Sequence, residues 1–315
     1  MGTHVWGQSR ETRDQICPQE IRVTPNSELR TELVTRRDFI RWLLGAFFLT
    51  VSPFRIPQSL GADSIPLHKG RRDSIAEFFR GEELSYEFGV WVFRRAALGK
   101  LTFKESETKG RYVATLEGES QGFLGWVARH RVDTYRAVME EVDGGRRLKA
   151  LSFEENVRVG DELRRRMHLF DYEKRRWTQM RRRKNGTMEV YEEEIPPGLV
   201  YDDFLTASYN FRYGVYGKIE RGRDYLVGTF PKKGSSRYEV KIAAKREEEE
   251  RRRSERFKEG KDFFVKLLLD PELTHSKEGR IEGWLSKEFY PVAGAIKDVA
   301  FFGDVKGTLI KKVRS

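Results

Sequence analysis

After residue 82 the chain has short runs in which apolar and polar residues alternate, each bounded by Gly, Asp, Asn or charged residues. Alternation with a period of two residues is typical of β-strands that bury one face. Because neighbouring runs are joined by short turns, they favour an antiparallel meander. The predicted strands are 86–93, 98–103, 111–116, 134–139, 148–153, 225–230, 237–244, 263–269, 280–285 and 299–313. We therefore expect a mainly β protein.

Two turn signals predict hairpins within this pattern. Asp143-Gly144-Gly145 separates the strands 134–139 and 148–153. Asn185-Gly186 is suited to a two-residue type I′ turn, which requires positive φ at both positions. That turn predicts the following cross-strand pairs: Lys184 with Thr187, Arg182 with Glu189, and Met180 with Tyr191.

One segment, residues 202–213, breaks the β pattern and predicts a helix packed on the sheet. Asp203 is a suitable N-cap, and the residues after it place an apolar stripe on one helical face. Asp203 and Arg212 are about two and a half turns apart, so they point to roughly opposite faces and do not share a site. We interpret Asp203 as a cap and Arg212 as a buried anchor for carbonyl groups of the sheet.

Two further segments have helical character. Residues 74–80 predict a short helix before the first strand. The charged run 245–256 repeatedly places Glu four residues before Arg, a spacing that favours a solvated helix. A charged edge strand and a docking arm are the alternatives for this run.

The N-terminal region has the pattern of an export signal. Thr35-Arg36-Arg37-Asp38-Phe39-Ile40-Arg41, followed by the apolar stretch 42–51, resembles a twin-arginine signal. The stretch is shorter than the roughly 20 residues of a membrane span, so we expect a cleavable signal, cut after Gly61 or Ala62. An ordinary amphipathic helix and an uncleaved anchor are the alternatives. We expect the twin-arginine translocase as export partner and a periplasmic location.

The export signal and the strand pattern together divide the chain into three parts. Residues 1–62 form an N-terminal extension and the signal peptide, 63–81 a linker or short helix, and 82–315 the β-rich domain. An upstream start codon would explain the polar residues 1–34 that precede the arginines.

Composition and charge narrow the class of protein. With 35% charged and 38% hydrophobic residues, the chain is globular and is not a polytopic membrane protein. Its formal net charge is +11, and most of that charge lies after residue 62. In a periplasm, anionic lipid head groups and acidic polymers are the expected counter-charges, and nucleic acid is not.

Candidate catalytic and metal sites are absent from the sequence pattern. Cys17 is the single cysteine, and the five histidines show no metal-ligand spacing. Ser286 lacks the glycines of a nucleophile elbow, and no glycine-rich phosphate loop is present. We expect neither an enzyme nor a bound metal or cofactor.

Several short motifs together resemble domain-of-unknown-function family 3108, which comprises exported bacterial envelope proteins. The most specific is the helix motif Asp203-Phe204-Leu205-Thr206-Ala207-Ser208-Tyr209-Asn210-Phe211-Arg212. The accompanying motifs are Glu83-Leu84-Ser85-Tyr86-Glu87, Leu98-Gly99-Lys100-Leu101-Thr102, Trp284-Leu285-Ser286 and Pro291-Val292. The resemblance spans residues 82–313. Asn210-Phe211, where an apolar or aromatic pair is usual, and the charged run depart from the family pattern.

The resemblance implies a large, curved and strongly twisted antiparallel sheet, like a half-barrel or open barrel, that carries one helix. This is similar in general form to periplasmic lipoprotein carriers, which hold acyl chains on the concave face of such a sheet. The aromatic residues Trp91, Phe93, Trp126, Phe211 and Trp284 could line that groove. Our first hypothesis is therefore a periplasmic, non-catalytic protein that binds a lipid or other hydrophobic ligand in envelope maintenance. These aromatics could equally fill an ordinary core.

A second hypothesis uses the basic surface instead of the groove. Lys174-Arg175-Arg176-Trp177 and Arg181-Arg182-Arg183-Lys184 interleave cations with an aromatic residue and could bind phosphate groups. The protein would then be an envelope scaffold that binds an anionic polymer or a protein partner. A merely solvated hairpin is the alternative for this segment.

Overall fold

The structure is a computed structural model that describes residues 73–90, 93–183, 186–232, 235–255, 259–268, 276–299 and 303–314. The predicted signal peptide, with Arg36, Arg37 and the expected cleavage site, lies outside the described residues. So do Trp91, Lys184 and Asn185.

Strands dominate the described residues, which contain fourteen of them. Their bounds are β1 Glu83–Val90, β2 Phe93–Glu105, β3 Arg111–Ser120, β4 Val132–Val142, β5 Arg147–Val159, β6 Glu162–Asp171, β7 Arg176–Arg182, β8 Met188–Glu194, β9 Asp224–Lys232, β10 Ser235–Ile242, β11 Phe263–Leu268, β12 Arg280–Leu285, β13 Pro291–Val299 and β14 Gly303–Val313.

All the strands belong to one antiparallel sheet in the order β8-β7-β6-β5-β4-β3-β2-β1-β14-β13-β12-β11-β10-β9. Pairing of β1 with β14 places the two ends of the β-rich chain in the middle of the sheet. β8 and β9 are the two edges and do not pair with each other within the described residues, so the sheet is open. This confirms the expected mainly β fold with a large antiparallel sheet.

The sheet is curved so that its two ends approach each other, but they do not pair within the described residues. Phe230 of the edge strand β9 lies 5.5 Å, between ring centroids, from Trp177 of β7 and 4.4 Å from His168 of β6. Because these strands belong to opposite halves of the sheet, the concave faces of the two halves must approach each other. Phe230 and Trp177 belong to the hydrophobic core, which contains a larger number of aliphatic than of aromatic residues.

Helices occupy four short segments of the described chain: α1 Ile75–Phe79, α2 Gly122–Val127, α3 Phe204–Tyr213 and α4 Lys245–Arg253. α1 and α3 confirm the predictions for 74–80 and 202–213. α2 was not predicted, because six residues that include two glycines give no helical periodicity. More than one helix packs on the sheet, although a single packed helix was expected, because α1 also buries Ile75 and Phe79 in the core. None of these helices is long and apolar enough to cross a membrane.

The charged run forms α4, so the edge-strand alternative is wrong. The helix is not solvated on every side. Glu248 is 3% exposed and accepts hydrogen bonds from Arg221 Nε at 2.8 Å and Arg252 Nη2 at 2.7 Å. One carboxylate therefore fastens this charged helix to the loop that precedes β9.

The two hairpin predictions have different outcomes. β4 and β5 pair around Asp143-Gly144-Gly145, with Val142 opposite Arg147, as predicted. The pairing around Asn185-Gly186 is wrong by one residue, because Arg181 lies opposite Glu189 and Arg182 opposite Met188. Thr187 pairs with Arg183, whose N–H donates to the Thr187 carbonyl at 2.9 Å. Three residues, not two, therefore connect the strands, a loop length that places glycine at the left-handed position, as Gly186 does with φ 84°.

The last predicted strand begins too early, and the strand before it was not predicted. Val299 ends β13 and Gly303 begins β14, so the prediction of a single strand over 299–313 is wrong at its start. β13 begins at a proline and contains Ala293, Gly294 and Ala295, residues of low β propensity. Its pairing with β12 and β14 overrides that weak local signal.

Candidate functional site

Helix α3 lies between the two halves of the curled sheet and is almost entirely buried. Asp203 caps its start, because the Asp203 Oδ1 atom accepts hydrogen bonds from the backbone N–H groups of Leu205 at 2.8 Å and Thr206 at 3.1 Å. Gly214 ends it in the left-handed conformation with φ 95°. Local sequence signals thus fix both ends of a helix whose sides contact the sheet.

Arg212 joins α3 to the start of β1. Its guanidinium donates to both oxygens of Glu82, at 2.7 Å and 2.6 Å, and to the Phe289 carbonyl at 2.9 Å. Both side chains are about 3% exposed or less, and the guanidinium also lies 4.7 Å from the centroid of the Phe79 ring. Arg212 is thus buried and anchors the helix, as its sequence position suggested. Its main partner, however, is the carboxylate of Glu82, which the sequence pattern did not indicate.

A second polar network fixes the opposite side of α3. Asn210 donates to the Leu148 carbonyl at 2.8 Å and accepts from the Leu148 N–H at 2.9 Å, so its amide extends the hydrogen bonding of β5. Asp202, fully buried, accepts from Asn210 at 3.1 Å, from Arg147 at 2.9 Å and from the Tyr216 hydroxyl. The sequence pattern gave Asn210 no role in such a contact.

Burial changes the acidity of the two carboxyl groups at the start of α3. It raises the pKa of Asp202, an effect that the Arg147 guanidinium opposes. It raises the pKa of Asp203 to about 7, although hydrogen bonds from Thr206 act in the opposite direction. These contacts explain both carboxyl groups as parts of the scaffold that positions α3.

A cavity of about 100 Å³ lies beside α3, against strands β9 to β13. It is bordered by the following residues: Phe204, Ala207, Ser208, Phe211, Arg212, Val227, Tyr238, Val240, Val265, Leu267, Ile281, Glu282, Gly283, Trp284, Leu285, Pro291 and Ala293. Its two charged members already have partners, since Arg212 binds Glu82 and Glu282 binds Arg251 at 3.0 Å. The space is therefore apolar, and small side chains on the helix and the sheet leave it open.

The structure brings two of the predicted groove residues to this cavity. Phe211 packs in a T-shaped contact on Tyr225, with ring centroids 5.3 Å apart, and faces the cavity side of the sheet. Trp284 also borders the cavity, but its ring packs on Phe264 at 5.0 Å and lies beneath Arg252 of α4. Because Phe264 and Trp284 are directly paired residues of β11 and β12, both rings project from the face opposite Val265.

The other predicted groove residues lie elsewhere. Phe93 is 38% exposed and Trp126 is 70% exposed, and neither borders the cavity. Trp91 lies outside the described residues. The apolar residues that complete the cavity, such as Val240 and Val265, were predicted as strand residues without a site role.

The described part of the basic hairpin combines its cations with acidic side chains and a buried indole. Trp177 is 2% exposed, and its indole N–H donates to His168 Nδ1 at 3.2 Å instead of stacking beneath a ligand. Acidic residues of β8 face the cations of the hairpin: Arg176 pairs with Glu192 at 3.4 Å and Arg183 with Glu189 at 2.8 Å. This neutralisation reduces the support for phosphate binding by this segment.

Two groups that could support catalysis, Ser286 and Asp133, make structural contacts. Ser286 Oγ accepts hydrogen bonds from the N–H groups of Glu288 and Tyr290, which closes the turn before β13. Asp133 is held by Arg131 Nε at 2.7 Å, and burial raises its pKa to about 6 against the effect of that guanidinium. Across the described residues, no three His, Cys, Asp or Glu side chains are grouped so that they could hold a metal ion.

Comparison with known proteins adds no family. No protein-family model, no curated protein and no solved structure matches the chain.

Proposed function

We propose that the protein is a non-catalytic binding protein that holds the apolar part of a ligand, such as an acyl chain, in the cavity beside α3. The observation that carries this proposal is the cavity itself. Close-packed protein interiors contain few voids larger than a water molecule, whereas this cavity, which is partly open to solvent, has a volume of about 100 Å³. An apolar cavity of about 150 Å³ is known to stay dry and bind benzene.

The chemistry of the wall favours a neutral alkyl group. Phe211, Val240 and Val265 supply apolar contact, and the charged residues that border the cavity are engaged in ion pairs. A ligand that entered with a charged group would leave that charge without a partner, which is costly in an apolar site. The volume suits one end of an alkyl chain and not a whole lipid.

We also propose that the protein is located in the periplasm and that it is related to family 3108. The signal motif with Arg36 and Arg37 supports export by the twin-arginine translocase, and a lipid-binding protein of the periplasm would act in maintenance of the cell envelope. Replacing both arginines by Lys should leave folded precursor in the cytoplasm. Normal periplasmic accumulation of that variant would contradict the export route.

Native mass spectrometry tests ligand binding most simply. The purified chain should carry added mass that mild solvent extraction removes, and the extracted protein should bind lauric acid in calorimetric titration. Ala207→Leu adds three carbon atoms to a fully buried position that borders the cavity. It should weaken lauric acid binding by about tenfold or more, since about 1.4 kcal/mol corresponds to a factor of ten.

A matched control separates loss of binding from loss of stability. Val90 is buried but does not border the cavity, so Val90→Ala should lower stability by about 1 kcal/mol or more and leave lauric acid binding unchanged. Equal binding by the wild type and Ala207→Leu would overturn the assignment of the site. A bare polypeptide mass together with no lauric acid binding would overturn the proposed function.

A further inference from the structure

The short helix α2 presents apolar residues on both of its sides. Gly125 is buried within the helix and Ala128 is buried at its end, and Leu124 packs against the core. On the other side, Phe123 is 62% exposed and Trp126 is 70% exposed. A surface helix ordinarily turns polar residues to solvent on that side, so this outward apolar face is unusual.

The exposed side chains form one aromatic patch, defined here as Phe93, Phe123, Trp126 and Val127. Phe93 of β2 stacks on Phe123 with ring centroids 6.1 Å apart, and Phe123 lies 6.2 Å from Trp126. Val127 is 47% exposed beside them. Isolated exposed apolar residues need no explanation, but contiguous exposed aromatics mark interaction surfaces.

The backbone holds this patch firmly in place. A Cβ atom on Gly125 would lie 2.9 Å from the Ser120 carbonyl oxygen, so the helix sits directly against the end of β3. The His130 N–H donates to the Gly125 carbonyl at 2.7 Å and closes the helix. The aromatic side chains are therefore presented outward on a fixed support.

Positively charged residues adjoin the patch in the chain. Arg94 and Arg129 flank it in the chain, and neither makes an ion pair within the described residues. Arg95 is paired with Glu87 at 2.8 Å, and the Arg129 guanidinium lies against Gly160, in the turn between β5 and β6 that also contains Asp161. With a formal charge of +11 on the whole chain, attraction to an anionic surface is expected over a distance of about 10 Å at ordinary salt.

We propose that the aromatic patch inserts into the head-group region of an anionic lipid bilayer. Trp and Phe are the residues that settle at the boundary between head groups and acyl chains, and neighbouring Arg side chains pair with anionic lipids. The patch lies on a short helix between β3 and β4 with its aromatic side chains exposed, a shape suited to partition into a soft surface. This inference goes beyond ligand binding in the cavity and does not depend on it.

Vesicle sedimentation tests the proposal with the full-length chain. Vesicles of equal parts phosphatidylcholine and phosphatidylglycerol should bind the wild type more strongly than vesicles of phosphatidylcholine alone. The double variant Phe123→Ala/Trp126→Ala should reduce binding to the anionic vesicles by about tenfold or more. Leu226→Ala removes a side chain of similar exposure, 57%, from the edge strand β9 and should leave binding unchanged.

A second measurement places the contact at the patch. Brominated acyl chains quench indole fluorescence at short range, so Trp126→Phe should still bind but should lose a large part of the quenching seen with the wild type. Equal quenching in both proteins, or equal vesicle binding by the double variant, would overturn the proposal. The proposal would also be overturned if no protein sedimented with the vesicles and the wild type self-associated in sedimentation velocity while the double variant did not. That result would assign the patch to contact with a second copy of the chain.

Discussion

Breaking the buried ion pair between Glu82 and Arg212 should strongly destabilise the fold. The two side chains share two hydrogen bonds of 2.7 Å and 2.6 Å and are almost fully buried. Glu82→Met would leave the Arg212 charge with the Phe289 carbonyl as its remaining hydrogen-bond acceptor. Removing one partner of a buried pair costs about 3–5 kcal/mol, because the other charge stays buried without compensation.

The double variant Glu82→Met/Arg212→Met should be much less damaging than either single variant. Replacing both partners removes the uncompensated charge, so we expect a loss of about 2 kcal/mol or less. Thermal unfolding followed by circular dichroism measures these effects, and about 1 kcal/mol corresponds to a shift of about 2–4 °C in a domain of this size. The exposed pair of Arg183 and Glu189 is the control, since Glu189→Met should change stability by about 1 kcal/mol or less.

Additive effects would refute this reasoning. If the double variant lost as much stability as the two single variants together, the ion pair would not be the interaction that holds α3 on β1. If Glu82→Met matched the exposed control, the burial of the pair would carry no energetic weight.

Three further predictions concern buried polar groups. Burial raises the pKa of Asp203 to about 7, so the folded protein retains a proton that the unfolded chain, with a pKa near 4, releases. Stability should therefore fall as the pH rises from about 4 to about 7, by about 1.4 kcal/mol per pH unit. Urea unfolding of Asp203→Asn, which keeps a cap oxygen, should show a smaller slope than the wild type, since Asp133, whose pKa burial raises to about 6, still contributes in both proteins. An unchanged slope would mean that the cap hydrogen bonds outweigh burial at Asp203. Glu248→Gln should lower the stability of α4 by about 1–3 kcal/mol in hydrogen exchange, whereas Glu249→Gln, on the exposed side, should not. Asn210→Ala should cost about 2–4 kcal/mol in thermal unfolding, because both backbone groups of Leu148 lose a partner, and a loss of less than about 1 kcal/mol would contradict it.

Local signals in the sequence predicted much of the fold. The cap at Asp203 and the turn at Asp143-Gly144-Gly145 depend on residues within a few positions, so both could be predicted. The pairing around Asn185-Gly186 failed, because two loop lengths are compatible with the same dipeptide. A choice between them depends on how β7 and β8 pack on the rest of the sheet.

The candidate site could be predicted only in part. Phe211 lies on a helix whose apolar face was recognisable, and it borders the cavity. Glu82 is 130 residues from Arg212, and their contact depends on where α3 lies relative to the start of β1. The orientation of Trp284 depends on the register of β11 with β12, which its own sequence does not specify.

The aromatic residues near α2 show the same limit. Their apolar character suggested a groove or a core, yet Trp126 is 70% exposed. The helix is ended by two residues with positive φ, Arg129 at 56° and His130 at 51°. These two residues lie where the chain turns from α2 into β4, and the sequence around them carries no glycine or asparagine that would predict such a turn.

We propose that the cavity beside α3 receives an alkyl group. A crystal structure of the protein with a bromine-substituted fatty acid would test it most directly, since bromine gives an anomalous signal at its own position. We predict a bromine peak in contact with Ala207 and Phe211, in the space of about 100 Å³ that they border. A bound fatty acid whose bromine lay elsewhere, or an empty cavity at saturating ligand, would contradict the account.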